Sequence, residues 1–453
     1  MDVYSPQYDT IFSYDLFYNN NESSDINAES PLIKLINQSK NANTFIERTL
    51  ILTLGYILIT KIKDESKSSF KFPPVLGIKL RADNDFYSQV STLKSLNLFP
   101  PTPNDVESIP PFQPAGEHKT GMGSSAALVT SLVASLLHYF DMMTDQKTVV
   151  HNLAQTAHSL AQGKIGSGFD VSAAVYGSQI YSRFSQSIIQ PLLKEFTGDI
   201  VEISVSFANS LTACIHDDWD TIQKPFDLPY GIEIIMADVC GGSESPSMAR
   251  KVLQWHKEYK TKDSTNNDDD DDDNNDDDYW EGLKKINLEL NALFQQLKAT
   301  MDTMNIQELN ELLSSLSKMN ADQWHNDNSE LGKQLIMIRE AFLESRSLLK
   351  AMGEAANVPI EPDEQTNVAD ATMEIPGVIA AGVPGAGGND ALFCLYIKGE
   401  ETSKSDIVRD SIAKLWGEWK GCEGQDEDKV VSPMGVRAVG WGEGLEIKSE
   451  MTW

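Results

Sequence analysis

"KTGMGSSAALVTSLVASLLHYF", Lys119 to Phe140, opens on two glycines, two serines and two alanines and continues as an apolar helix. A helix N-terminus presents N–H groups without intrahelical partners and the positive end of the helix dipole, so it attracts phosphate. Gly121 and Gly123, lacking a Cβ, let a ligand approach the backbone closely. Ser124 and Ser125 add hydroxyls that cap the helix or reach a metal-bound phosphate, and Ala126 and Ala127 keep the first turn thin. The same residues also suit a plain capped helix after a loop, so a second signal has to decide. Two familiar phosphate motifs fail here. A P-loop needs Gly-x-x-x-x-Gly-Lys, and Met122 stands after the second glycine of Gly116–Gly121. Gly121, Gly123 and Ala126 satisfy Gly-x-Gly-x-x-Ala with Asp141 downstream, but a proline-rich loop precedes them where the dinucleotide fingerprint requires a strand.

The second signal is "AHSLAQGKIGSGFDVSAAVYGS", Ala157 to Ser178, where Lys164, Ser167 and Asp170 share one turn with Gly163, Gly166 and Gly168. Phosphoryl transfer needs charge neutralisation, alignment and a carboxylate beside the nucleophile more than covalent help, and one such turn supplies all three. A glycine turn with a solvated lysine and a helix-capping aspartate is the plainer alternative. A third glycine-rich stretch, "GVPGAGGND" from Gly382 to Asp390, lies far away and suits a turn between strands. Three such loops in one chain point to a phosphate-binding cleft split between two domains.

The rest of the chain sets the frame. Its 453 residues suggest two domains, and 41% hydrophobic with 23% charged residues is ordinary globular composition. The formal net charge is -30, and nine of the acids form one run, Asp268 to Asp273 and Asp276 to Asp278, which repels itself and reads as a solvated insert near 261–279. The remainder is still acidic, which argues against nucleic acid and against an anionic membrane as partners. Cys214, Cys240, Cys394 and Cys422 lack the spacing of a zinc site or a disulfide framework, the pattern of a reduced, cytoplasmic protein. No signal peptide opens the sequence, and no stretch has the ~18 unbroken apolar residues of a membrane span.

Periodicity predicts a strand over Tyr8 to Tyr18, a buried helix at "FIERTLILTLGYILI", a strand ending in a turn at "VLGIKLRADNDFYSQV", and a loop over 100–118 with its six prolines. A second helix follows over Thr148 to Gln162, and "VSAAVYGSQIYSRF" passes into a strand. "GIEIIMADV" from Gly231 starts a new domain, divided from the first at 225/226. Three amphipathic helices near Glu281 to Met301, Ile306 to Met319 and Leu331 to Met352 precede the turn and strand of "VIAAGVPGAGGNDALFCLYI". Strands flanking a helical middle make an α+β fold.

In this order the three motifs resemble the GHMP family of small-molecule kinases. "KTGMGSSAAL" looks like its phosphate loop and "GVPGAGGNDA" like its C-terminal glycine motif. The likeness is strongest to fungal members that phosphorylate 5-phosphomevalonate, which "HNLAQTAHSLAQGKIGSGFDVSAAVYGS", "GGSESPSMARKVLQW", "VPIEPDEQTNVAD" and "DFYSQ" each resemble. It implies ATP-dependent conversion of 5-phosphomevalonate to 5-diphosphomevalonate in isoprenoid and ergosterol synthesis. The implied fold joins a ribosomal-protein-S5-like domain (1–225) to a ferredoxin-like domain with added helices (226–453). By the same resemblance, Lys119, Gly121, Gly123, Ser124, Ser125 and Ala126 would hold ATP, with Ser125 on Mg²⁺. Asp170 would be the catalytic carboxylate, assisted by Lys164, while Ser167, Gly385, Ala386, Gly387 and Gly388 would face the substrate. The expected partner is a small molecule, and the expected assembly a monomer or weak homodimer.

Three departures stand out. The family's opening Pro-Gly-Lys strand does not precede Val3, so a truncated or impaired enzyme is one expectation. No acidic second Mg²⁺ ligand stands near His158 or Gln162, and Asn389 occupies a position where an aromatic residue is common. Another GHMP kinase, acting on mevalonate or a sugar, and a non-catalytic regulatory protein on the same scaffold are the alternatives.

Overall fold

The computed structural model describes residues 1–19, 29–64, 70–115, 119–142, 147–196, 202–239, 245–263, 279–326, 329–385, 387–389, 391–399, 401–402, 405–419, 431–435, 438 and 440–447. The Asp268–Asp278 run, Cys240, Cys422, Ala386 and Asp390 lie outside them.

The chain enters through strands β1 (Asp2–Ser5), β2 (Thr10–Tyr18) and β3 (Pro31–Asn37) and the buried helix α1 (Thr44–Lys63), capped by the Asn43 side chain on the Ile46 N–H. Apolar residues cover all sides of α1, which is why it runs through the core and not over the surface. Burying each of Leu50, Leu54, Ile57 and Leu58 is worth about 1.5–3 kcal/mol. Strand β4 (Gly77–Lys79) and short helices α2 (Val90–Ser95) and α3 (Pro103–Ser108) follow. The last corrects the loop expected over 100–118. Thr102 and Asp105 form a capping box, and Pro103 at the first turn has no N–H that the helix needs.

Next come α4 (Ser124–Tyr139), α5 (Lys147–Gln162), α6 (Phe169–Tyr176) and β5 (Gln179–Ser182). The segment "VSAAVYGSQIYSRF" is therefore helix first and strand second. Gly168, left-handed at φ 83°, starts the helix, and Gly177 at φ 80° ends it. Helix α7 (Gln190–Glu195), β6 (Glu202–Ser204), α8 (Val205–His216) and β7 (Ile222–Pro225) complete the first half. Its main sheet runs β4-β1-β2-β3-β6, antiparallel except for β1 beside β4. Helices α1, α4, α5 and α8 pack on it around one apolar core.

The second half starts with β8 (Ile232–Asp238) and the helices α9 (Ser245–Asp263), α10 (Tyr279–Asp302), α11 (Ile306–Leu316), α12 (Ala321–Trp324), α13 (Glu330–Ala356) and α14 (Asp363–Met373). Strands β9 (Val378–Gly382) and β10 (Ala391–Ile397) form a hairpin. The small strands β11 (Glu401–Thr402) and β12 (Ser405–Asp406), helix α15 (Ile407–Gly417) and β13 (Ser432–Pro433) follow. The antiparallel sheet β13-β8-β10-β9 has the α10–α13 helices on one face and α14 with α15 on the other. This is the expected two-domain α+β architecture. Cys214 and Cys394 are free thiols, and among the described residues no helix is long and apolar enough to cross a membrane.

Among the ties that join the halves, Arg409 of α15 pairs with Glu107 of α3, the Gly435 N–H donates to Asp85 at 2.9 Å, and residues 440–447 return to the first half. There the Trp441 ring stacks on Tyr176 at 5.5 Å and 9°, and Lys147 donates to the Gly442 carbonyl. We propose a boundary at 225/226, with this last segment packing on the first half.

Candidate active site

The first glycine loop is built as its sequence demands. Gly121 and Gly123 have φ of 74° and 72°, a region that suits glycine, and Gly123 is the residue from which α4 starts. No side chain among the described residues caps α4, so its first N–H groups are left without a side-chain partner, as an anion site requires. The loop is anchored behind by the "DFYSQ" segment: Lys119 bridges Tyr87 through the backbone, and Thr120 donates its hydroxyl to the Asp85 carbonyl at 2.5 Å. Met122 turns the other way and packs on the apolar cluster of Met236, Ala391 and Met434, on the sheet of the second domain. Ala391 directly follows the C-terminal glycine motif. Both glycine-rich motifs therefore converge on one apolar contact.

The second loop repeats the device. Helix α5 ends at Gln162, Gly163 turns left-handed at φ 66°, and Gly168 at φ 83° starts α6. A Cβ on Gly168 would come within 2.7 Å of Gln155 Oε1 and 2.8 Å of the Tyr181 hydroxyl, so only glycine fits. Strand β5 and the residue after it hold the loop from outside: the Tyr181 hydroxyl donates to the Ser167 carbonyl at 2.8 Å, and Arg183 to that of Ile165 at 2.9 Å.

His158, one turn before the end of α5, links the two loops. Its Nε2 lies 3.1 Å from the Ser125 hydroxyl, 3.3 Å from the Gln162 amide nitrogen and 4.0 Å from Asp170 Oδ2. The Ser125 hydroxyl and the Gln162 amide nitrogen both stand within hydrogen-bond distance of this one ring nitrogen. Burial holds this imidazole below its usual pKa, against the pull of Asp170, which keeps it neutral. The contact ties the Ser125 hydroxyl at the start of α4 to helix α5. Asp170 is partly open, its side chain 27% exposed, with Oδ1 taking the Val171 N–H at 2.9 Å. A Cβ built on Gly123 would stand 3.5 Å from Asp170 Cβ, which measures how closely the two helix starts approach.

Of the residues expected from sequence, the structure brings Gly123, Ser125 and Asp170 to one point, with Ser124 and Ala126 in the same helix turn. Lys164 and Ser167 stand on the adjoining loop, and burial and then Arg250 lower the Lys164 pKa. Lys119 is exposed, and among the described residues no contact ties its ammonium to the Ser125–Asp170 line. Gly385, Gly387 and Gly388 are all left-handed, at φ 65°, 74° and 95°. Sequence reasoning missed His158, Arg250 and Met122. The four-residue spacing of His158 and Gln162, one face of a helix, was the available signal for the first. Arg250 and Met122 owe their places to the other domain, which local pattern does not reveal.

Two glycine-started helices meeting at a serine and an aspartate, under a second domain with its own glycine loop, define a GHMP-type small-molecule kinase. Residues 106–178 match the GHMP kinases N terminal domain. The chain is 33% identical to the peroxisomal phosphomevalonate kinase of Arabidopsis thaliana over 81% of its own length and 74% of the relative's. It is 34% identical to the phosphomevalonate kinase of Aspergillus fumigatus over 90% and 74%. It belongs to the phosphomevalonate kinase family. A solved structure, the Lin0012 protein from Listeria innocua, shares the fold with a TM-score of 0.53 at 14% identity, covering 96% of this chain and 87% of that one.

Proposed function

We propose that this kinase transfers the γ-phosphoryl group of ATP to the phosphate of 5-phosphomevalonate, giving 5-diphosphomevalonate for isoprenoid and sterol synthesis. The observation that carries this reading is the Ser125–His158–Asp170 line between the two glycine-started helices. The N–H groups of Gly123 to Ala126, which lack intrahelical partners, bind the ATP phosphates. Asp170 faces the acceptor and orients its phosphate oxygen. That oxygen is already ionised at neutral pH, so placement and charge screening matter more than proton abstraction. Lys164, with Arg250 facing it from α9, offsets the charge that gathers as two phosphates approach, and Ser167 and the 385–388 loop hold the acceptor.

One hydroxyl and one partly open carboxylate on the same cleft fit Mg²⁺, which prefers oxygen ligands, keeps waters and shares itself with substrate phosphates. Ser125 and Asp170 would hold it, and it would neutralise phosphate charge. Our reading includes a cytoplasmic monomer or weak dimer. The test is ADP release with phosphomevalonate, mevalonate and galactose. Turnover with phosphomevalonate alone is expected. A preference for either of the others overturns the substrate assignment.

A further inference from the structure

The segment "VPIEPDEQTNVAD", Val358 to Asp370, has no role so far, and it contains a carboxylate buried well away from the Ser125–Asp170 line. Glu361 has a side chain only 2% exposed and is held by Arg346 of α13, itself 9% exposed, with NH2 to Oε1 at 2.6 Å and Nε to Oε1 and Oε2 at 3.1 and 3.3 Å. The same guanidinium reaches Asp370 of α14 at 2.9 Å and the Met373 sulfur at 3.4 Å, so it clamps three elements at once. A buried ion pair is a poor source of stability, because apolar residues of similar volume often do as well. Geometry is what a planar, two-pronged contact adds.

That geometry leads to the third glycine loop. The residue before Glu361 is Ile360, whose carbonyl accepts the Gly388 N–H at 2.8 Å. Gly387 packs on the same carbonyl so closely that a Cβ would collide with it. Arg346 also lies under the strand that feeds the loop: a Cβ on Gly382 would be 3.2 Å from its Cδ. Pro359 has a fixed φ and Pro362 disfavours the helical region for Glu361, so the chain is stiffened on either side of the Ile360 carbonyl. The carbonyl thus stands on a stiff four-residue shelf, with the buried fork as its one charged anchor among the described contacts.

We propose that Arg346 and Glu361 are positioning residues for the kinase reaction, fixing the Ile360 carbonyl and through it the Gly387–Gly388 part of the loop against the phosphorylated acceptor. The inference rests on the reading that this loop meets the acceptor.

The experiment compares steady-state kinetics and melting of R346M/E361L, R346K and Gly388→Ala in the full chain. The apolar double variant is expected to melt within a few degrees of the parent. Its KM for phosphomevalonate should rise about tenfold, with KM for ATP within about twofold, because a loop shifted by a fraction of an ångström loses acceptor contacts only. R346K, which keeps the charge but loses the fork, should fall between, and it decides the matter if the double variant does not fold. A lowered melting temperature with an unchanged acceptor KM, or both KM values rising together, overturns the positioning role. Gly388→Ala separates the two layers. An unchanged acceptor KM there removes the loop from the acceptor and the proposal with it. A raised KM there beside an unchanged one in R346M/E361L and R346K refutes the positioning role alone.

Discussion

Gly123→Ala isolates the backbone contribution to the phosphate site. Gly123 sits at φ 72°, ψ 33°, where an L-residue with a Cβ costs about 1–2 kcal/mol. The new methyl would lie 3.5 Å from Asp170 Cβ, an ordinary contact, so no steric overlap adds to that figure. For a domain of this size the strain corresponds to a fall in melting temperature of about 2–8 °C. Relaxing it means turning Gly123 out of the left-handed region, which re-aims the first N–H groups of α4 away from bound phosphate. If the strain is released that way, 1–2 kcal/mol lost from the transition state is about a 5- to 30-fold fall in kcat/KM. Gly442→Ala is the control: φ is 89° with nothing within 4 Å of its Cβ, and it sits against the far end of α6 from Asp170. The control should lose similar stability and keep activity within about twofold. Scanning calorimetry and the ADP-release assay, both below the melting range, decide the case. Equal activity losses in the two variants, or full activity in Gly123→Ala, would refute the reasoning.

Asp170→Ala is expected to lower turnover by at least about a hundredfold, since the carboxylate both orients the acceptor and would help hold Mg²⁺; normal turnover would remove it from that role. His158→Ala leaves the Ser125 hydroxyl without its hydrogen-bond partner and should lower kcat about tenfold, whereas His158→Gln, which can place a polar group near the Nε2 position, should recover most of it. Equal kinetics in the two variants would show that the ring only fills space. The Asp85 carboxyl is pushed up to about 6 by burial, with the Gly435 N–H opposing and Asp83 adding to the rise. Its folded pKa lies above its unfolded one, so its contribution to stability is fully present below about 4 and is lost as pH rises through about 6. Asp85→Asn should therefore gain stability on the parent as pH rises from 4 to 7, and a constant difference in melting temperature across that range would contradict the assignment.

Much of this protein is decided locally, and its sequence alone therefore determines it. An all-apolar run such as the one in α1 has to be buried. Glycines directly before a small-residue helix start leave the backbone open to a close ligand. The three glycine loops, the α+β alternation and the kinase resemblance follow from patterns that need no neighbour from elsewhere in the chain. The limits of local reading show in two elements. Helix α3 formed inside a proline-rich stretch because the Thr102–Asp105 box and a first-turn proline outweighed the composition. Helix α6 preceded its strand because Gly168 and Gly177 set its ends.

The tertiary structure alone decided which of the chemical groups meet. His158 reads in sequence as one more residue on a buried helix face, and it becomes the link between Ser125 and Asp170 only when α4 and α5 pack side by side on the sheet. Met122 gains its role from an apolar cluster supplied by residues more than a hundred positions away. Arg346 and Glu361 form a buried fork because α13 and the Pro359–Pro362 shelf are folded against each other. Such meetings depend on packing between segments distant in sequence, and the free energy of a buried contact carries no trace in the local pattern of either partner.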